Sequence, residues 1–152
     1  MNPEKLIPMA RSAQNRCFGC GLANEAGLHL EFLLAEDGSV VCLTTISDSF
    51  EGPSGFLHGG IIATLLDCHS AAAVMWEADR RGWGALPGAT IPYVTAGLDV
   101  RFVRPSPLTS DVELVAHVLD ASESEIRCEV ELSWEAKTRA TATAVWKRWR
   151  PR

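Results

Sequence analysis

The run from Gly52 to Trp76 most constrains how this chain can fold, because a turn-rich loop passes directly into a strongly apolar segment. The run reads GPSGFLHGGIIATLLDCHSAAAVMW. Apolar residues occupy nearly all sides of a helix drawn through this segment, and such a helix is normally buried. We therefore predict one long central helix over about residues 59–79, with the rest of the chain packed around it.

The start of this helix carries groups suited to carbonyl chemistry. Gly59 and Gly60 stand in the first turn, where backbone amides have no acceptor within the helix and a ligand oxygen can approach closely. Asp67 is the only carboxylate between His58 and Glu77, and a carboxylate on an apolar helix is costly unless it has a partner or a function. Each feature alone also fits an ordinary turn or a satisfied core acid.

The composition indicates one globular domain. The chain has 152 residues, of which 47% are hydrophobic and 22% charged, and its net charge is −5. This charge argues against general nucleic-acid binding, which needs a basic face. We expect no secretory signal and no membrane span, and the five cysteines show no disulfide-rich pattern, so we predict a cytoplasmic protein with reduced thiols.

The remaining chain predicts strands. Residues 125–135 alternate strictly between apolar and polar types, as one dry and one wet face require. Strands are predicted over residues 28–34, 40–46, 93–103, 111–119, 125–135 and 139–149. The resulting fold class is α+β, an antiparallel sheet wrapped around one helix, with an N-terminal arm over 1–16 and a single domain over 17–152. The Gly-rich stretch 79–88 is long for a connection and is typical of a binding loop or lid.

Two cysteines form a CxxC pair, Cys17-Phe-Gly-Cys20, which suggests a metal or a redox site. Structural zinc needs four ligands, yet the chain has no second CxxC, and Cys42, Cys68 and Cys128 are scattered singly. A redox role would favour a CxxC at the start of a helix, which the following residues do not suggest. We therefore expect no metal and no cofactor.

Three segments together resemble a known family. His58-Gly-Gly is followed by Asp67 nine residues after the His, Cys17-Phe-Gly-Cys-Gly21 precedes Gly27-Leu28, and Leu98-Asp-Val-Arg-Phe-Val-Arg-Pro105 follows the helix. This pattern resembles the PaaI-type acyl-CoA thioesterases of the hotdog-fold (4-hydroxybenzoyl-CoA thioesterase-like) superfamily. The resemblance runs from about Cys17 to the C-terminus and implies the hotdog fold.

The resemblance implies hydrolysis of an acyl-CoA thioester to a free acid and CoA, with coenzyme A as part of the substrate. The Gly59 amide, supported by Gly60, would hold the carbonyl oxygen, and Asp67 would act as general base or nucleophile. Gly59 and Asp67 lie about 12 Å apart along a helix, so one helix cannot serve both ends of one carbonyl. The family meets this need with a homodimer whose partner supplies the acid, and a dimer of dimers is expected.

Further site residues follow from the same resemblance. His58 is either an N-cap or a polar contact to the thioester, and Thr95 stands where some members set a hydroxyl against the attacking water. The predicted substrate contacts are Phe56, Leu57, Trp83, Arg101 and Arg104.

One difference from the family pattern weakens the prediction of catalysis. Several members carry an Asn six residues before the His, whereas this chain has Gly52. The alternative is a non-catalytic acyl-CoA binding or sensor protein on the same fold, which would not depend on Asp67. A hydratase is less well matched, since the Asp67-Cys-His sequence is not a convincing hydration motif.

Overall fold

One long helix and seven antiparallel strands form the part of the chain that the computed structural model describes, residues 5–6 and 13–152. The helix is α1 (Gly59–Arg80), and a 3-10 turn (Asp48–Phe50) precedes it. The strands are β1 (Lys5–Leu6), β2 (Leu33–Leu34), β3 (Val40–Thr45), β4 (Tyr93–Phe102), β5 (Asp111–Ala121), β6 (Glu125–Trp134) and β7 (Lys137–Arg148). Their order in the sheet is β1-β2-β3-β5-β6-β7-β4. The predicted arm over 1–16 falls mostly outside the described residues.

Helix α1 packs on the sheet, and the predicted α+β architecture is confirmed. The helix has 22 residues, and Leu65, Leu66, Ala72 and Val74 are fully buried. By length and composition alone it is apolar enough to cross a membrane, but most of it is buried inside the fold. The predicted span of about 59–79 therefore matches a core helix that begins at Gly59.

The sheet buries one face, as the alternation of residue types predicts. Along β6, Ile126, Cys128, Val130 and Leu132 are buried, while the residues between them are exposed. The neighbouring strand β7 buries Ala140, Ala142, Ala144 and Trp146 in the same way. Small alanine side chains leave room for the helix to approach the sheet closely.

The predicted strand over Leu28–Leu34 is wrong over most of its length, because only Leu33–Leu34 pairs as a strand. The amides of Leu28 and Leu30 donate instead to the carbonyls of Phe18 and Gly19, at 2.8 and 2.9 Å. His29, between them, has a left-handed φ of 53°. Hydrogen bonds to the cysteine loop (residues 17–21) therefore keep these residues out of the sheet. Strand propensity alone does not indicate such contacts.

Strand β4 is an edge strand that contains a β-bulge. It pairs with β7, and the register shifts between Thr95 and Gly97. Thr95 lies opposite the buried Trp146, and Leu98 lies opposite the buried Ala144. A bulge re-aims the side chains beside it, and here it lets residues on both sides of Ala96 face the helix.

His69 is a buried polar group in the middle of α1. Its Nε2 donates to the carbonyl of Val40 at 2.7 Å, and its ring packs 5.4 Å from that of Phe32. Nδ1 is buried without a partner among the described residues. Burial lowers the pKa of His69 to about 4, so the imidazole is neutral near pH 7.

We expect His69 to limit stability in acid. The unfolded chain takes up the proton near pH 6.5 and the folded chain only near pH 4, so the free energy of unfolding falls as pH drops through this window. The loss from this group is about 3 kcal/mol, at about 1.4 kcal/mol for each pH unit of separation. His69→Gln keeps an amide donor for Val40 and should remove this acid-dependent loss.

Urea unfolding of wild type and His69→Gln between pH 7 and pH 4 measures the difference. The matched control is His117→Gln, since His117 is exposed on β5. Equal pH dependence in wild type and His69→Gln would contradict the assignment.

Candidate active site

The N-terminus of α1 presents one free backbone donor. His58 is the N-cap, and its Nδ1 accepts the Gly60 N–H at 2.9 Å, which leaves the ring proton on Nε2. Among the described residues no acceptor is found for the Gly59 N–H. The geometry therefore separates the two predicted donors, since the Gly60 amide is used within the cap while the Gly59 amide remains available to a ligand.

Asp67 is held by a hydroxyl from the sheet. Thr95 Oγ1 on the edge strand β4 donates to Asp67 Oδ1 at 2.9 Å, so two positions 28 residues apart in the sequence meet. This contact joins two of the predicted catalytic residues. The second carboxylate oxygen remains available, because Thr95 is the only side chain of the described residues found bonded to the Asp67 carboxylate.

Burial makes Asp67 a better base than an exposed aspartate. Desolvation raises the pKa of Asp67, the Thr95 hydrogen bond lowers it, and the nearby Cys17 sulfur raises it further. The net shift is upward. Such a shift is typical of carboxylates that accept a proton during catalysis, although structural acids show it as well.

Gly59 and Asp67 lie on the same helix but do not meet. Eight residues separate them, which corresponds to about 12 Å along the axis. Two cavities, of about 580 and 460 Å³, are lined respectively by the outer face of the sheet and by residues around the C-terminal half of α1. Neither cavity is lined by Gly59 or Asp67. Along one helix these two groups are therefore too far apart to act on the same carbonyl.

The predicted substrate contacts are spread over different environments. Phe56 is 46% exposed near the start of α1, whereas Leu57 is buried in the core. Trp83 packs at the far end of the helix with the Arg81 guanidinium over its ring. The exposed Arg101 forms an ion pair with Asp99, its Nη2 lying 3.4 Å from Asp99 Oδ2.

Arg104 is exposed and donates to the carbonyl of Thr138 at 2.9 Å. Phe102, which the sequence interpretation did not select, lies beside Gly59: a Cβ on that glycine would be 3.5 Å from the Phe102 ring. Phe102 is 59% exposed. An aromatic residue between Arg101 and Arg104 at a strand end is the sequence signal that could have identified Phe102.

Gly52 lies within a tight turn, at the position where several members of the resembling family carry an Asn. Its N–H donates to the carbonyl of Phe56 at 2.7 Å, and Glu51 bridges to Leu57 across the same turn. A Cβ at position 52 would come 3.2 Å from the Phe56 oxygen. The backbone of this loop is thus closely packed at the position where other members carry an amide side chain.

The cysteine loop meets the central helix next to Asp67. The Sγ atoms of Cys17, Cys20 and Cys68 all lie within 4.8 Å of one another. Hydrogen bonding with the Cys68 thiol and with the amides of Cys20 and Gly19 lowers the pKa of Cys17 to about 5. Sequence spacing missed this cluster, because Cys68 lies 51 residues after Cys17.

Comparisons with known proteins agree with this geometry. A sequence model of the thioesterase superfamily matches residues 54–140. Human acyl-coenzyme A thioesterase 13 is 28% identical over 102 residues, which cover 67% of this chain and 66% of that protein. Acyl-coenzyme A thioesterase THEM4 of Xenopus laevis is 26% identical over 147 residues, covering 93% of this chain and 60% of that protein. The chain thus spans about two thirds or less of these relatives.

A solved structure extends the likeness to the fold. The PaaI protein of E. coli, from the phenylacetic acid degradation operon, superposes with a TM-score of 0.66 at 18% identity, covering 81% of each chain. The hotdog fold, expected from the resemblance, is confirmed. Because the family model covers more than half of the chain, from the loop before α1 through strand β6 into β7, this protein belongs to the thioesterase superfamily.

Proposed function

We propose that the protein hydrolyses an acyl-CoA thioester to the free acid and CoA. The observation that carries the proposal is the pair of groups on α1, a Gly59 N–H for which the described residues offer no acceptor and an Asp67 carboxylate held by Thr95. Membership of the thioesterase superfamily and the likeness to acyl-CoA thioesterases support this chemistry. We further propose a cytoplasmic location and no catalytic cofactor beyond the coenzyme A of the substrate.

The Gly59 amide would stabilise the negative charge that develops on the carbonyl oxygen. An N–H at a helix N-terminus needs no proton transfer and is reinforced by the helix dipole. Losing one such donor costs about 3–4 kcal/mol in comparable sites. His58 orders this turn by accepting the Gly60 N–H, and the Nε2–H of this exposed residue would be a second donor.

Asp67 would promote attack on the carbonyl carbon. As a general base it takes a proton from water while the hydroxide adds to the carbon; the CoA sulfur then leaves and receives a proton. As a nucleophile it would instead form an anhydride that water hydrolyses. Thr95 orients the carboxylate in either route by fixing Oδ1, which leaves Oδ2 for the reaction.

The separation of Gly59 from Asp67 supports a homodimer in which each site combines the two helices. Strand β4 carries Thr95 on the edge of the sheet, beside the half-exposed stripe of α1 around Thr64 and Asp67. A second chain along this edge would bring its Gly59 to the first chain's Asp67, in two symmetric sites. A dimer of dimers is the further assembly we propose.

Exposed side chains near Gly59 are suited to the substrate. Phe56 and Phe102 offer apolar surface for an acyl group or pantetheine, and Arg101 and Arg104 offer positive charge for the phosphates of coenzyme A. Trp83 would contribute only from another chain or another part of the ligand, because it lies at the opposite end of the helix.

The alternative is a protein that binds acyl-CoA without hydrolysing it. The specific observation that favours it is Gly52, which supplies no side-chain donor where several thioesterases have an Asn. A binding protein would keep the Gly59 amide and lose nothing when Asp67 is replaced.

Replacing Asp67 separates the two functions. We expect Asp67→Asn to lower kcat roughly 10²–10⁴-fold with little change in acyl-CoA binding, since a positioned base contributes about this much. Thiol release from short, medium and aromatic acyl-CoA thioesters measures turnover, and calorimetry measures binding. Asp99→Asn, on an exposed part of β4, is the matched control. Acyl-CoA binding by a wild type that releases no thiol would establish the alternative instead.

The raised pKa of Asp67 predicts the acid limb of the pH profile. Activity requires the carboxylate, so kcat/KM should fall as pH drops through a pKa above the ordinary aspartate value of about 3.9. Thr95→Val removes the hydrogen bond that lowers this pKa and should move the acid limb to higher pH. Thr143→Val on β7 serves as control. An unmoved limb in Thr95→Val would disprove the role given to Thr95.

Mixed dimers test the shared site. Gly59→Pro removes only the N–H, because proline suits the first helical position and His58 already has an extended backbone. We expect a loss of roughly 10²–10³-fold in kcat, whereas Gly59→Ala keeps the N–H and most of the activity. A purified heterodimer of Gly59→Pro and Asp67→Asn subunits has one intact site in the proposed arrangement. It should therefore regain about half of the wild-type activity.

If both groups act from the same chain, every site in that heterodimer carries a lesion and activity stays low. That result would contradict the shared site while leaving hydrolysis itself intact. Full activity of Gly59→Pro alone would remove Gly59 from the mechanism.

A further inference from the structure

Three sulfur atoms from two distant segments meet beside the central helix. Cys17 and Cys20 lie on the N-terminal loop and Cys68 on α1, and all three Sγ atoms lie within 4.8 Å of one another. The Cys17 and Cys68 sulfurs are 3.6 Å apart, and all three residues are free cysteines. In a tetrahedral zinc–thiolate site with Zn–S bonds of about 2.3 Å, neighbouring sulfurs are about 3.8 Å apart. The cluster therefore has the dimensions of three zinc ligands.

The loop is shaped to present its sulfurs together. Its chain turns back through a hydrogen bond from the Gly21 N–H to the Cys17 carbonyl at 2.8 Å. The backbone amides of Cys20 and Gly19 lie close enough to the Cys17 sulfur to lower the pKa of its thiol. The Asn15 amide donates to the Cys20 sulfur at 3.6 Å. N–H donors of this kind stabilise thiolates and orient metal ligands.

Gly19 allows the loop to reach the helix. A Cβ on Gly19 would lie 2.2 Å from the Cys68 sulfur and 3.0 Å from the Cys68 Cβ. The first distance is shorter than the contacts that Cβ atoms make in proteins. The absence of a side chain at Gly19 is thus a requirement for bringing Cys68 to the CxxC pair. Cys20 and Cys68 are also buried, which is usual for structural metal ligands.

The charge around the cluster favours a cation. In the described ranges, the hydrogen bonds and ion pairs bring no Lys or Arg onto these sulfurs. Three neighbouring thiolates would repel one another without a positive partner, and a divalent ion supplies it. Soft thiolate ligands select zinc over magnesium or calcium.

We propose that Cys17, Cys20 and Cys68 bind one Zn²⁺, with water as the fourth ligand, and that this site clamps the N-terminal loop to α1. The expectation of no metal, drawn from sequence spacing, is thereby revised, because the third ligand comes from the helix rather than from a second CxxC. The sulfur geometry that supports this site does not rest on acyl-CoA hydrolysis, and each proposal can be tested without the other.

Metal analysis of the full-length protein tests the site. We expect about one zinc per chain after purification without chelators, and the reduced, metal-stripped protein should take up one equivalent of added Zn²⁺. Cys17→Ser, Cys20→Ser and Cys68→Ser should each weaken zinc binding at least roughly 100-fold in competition with a chromophoric chelator. Cys128→Ala is the matched control, since Cys128 is buried elsewhere in the core.

Cobalt substitution keeps the test decisive if a serine variant does not fold. Co²⁺ added to the stripped wild type should give intense thiolate-to-cobalt charge-transfer absorption, which Zn²⁺ displaces. Chelator treatment should also lower the unfolding temperature of wild type, because bound metal contributes to folding free energy.

Failure of the reduced, stripped wild type to bind Zn²⁺, or a cobalt spectrum without thiolate bands, would overturn the proposal. So would equal loss of zinc in Cys128→Ala, or uptake of copper but not zinc. A disulfide between Cys68 and either loop cysteine in freshly isolated, zinc-free protein would replace the metal site with a redox pair.

Discussion

The burial of helix α1 against one face of a single antiparallel sheet is the constraint on which the remaining structure depends. A helix that is apolar on nearly every side needs more cover than one sheet provides. Leu65, Leu66 and Val74 find that cover within the chain, but the stripe around Thr64 and Asp67 is only half buried. Because one sheet cannot cover every side of this apolar helix, a strip of α1 remains accessible to a ligand or a second chain.

The polar groups along that strip of α1 are held in place by different contacts. His58 satisfies the Gly60 amide, Thr95 holds Asp67 from the sheet, and the cysteine loop closes over Cys68. Each of these contacts joins the helix to a residue outside it, either in the loop just before the helix or in a segment distant in sequence. The chemistry of this fold therefore sits where tertiary contacts, rather than the helix itself, determine the geometry.

The large elements could be predicted from local patterns, whereas the contacts between them could not. The long apolar run from Gly59 and the alternation across Ile126–Leu132 both indicate burial directly, so the helix and most strands were predicted close to their observed bounds. Leu28–Phe32 was misassigned because its amides bond to the cysteine loop. Asp67 was recognisable as an isolated acid, but its contact with Thr95 was not predicted, because the resemblance set that hydroxyl against the attacking water. The approach of Cys68 to the CxxC pair follows only from the fold.

The bulge in β4 reverses which sequence positions face the helix. Before Ala96 the inward residues are odd-numbered, Tyr93 and Thr95, and after it they are even-numbered, Leu98 and Val100. Simple alternation counted back from Leu98 would place Thr95 on the outer face. If the same sequence were paired regularly, with no bulge at Ala96, the second half of the strand would stay in register but Tyr93 and Thr95 would turn away from the helix. The bulge therefore absorbs one extra residue and keeps both halves of this edge strand facing the helix, so that the strand closes the core and also holds the carboxylate.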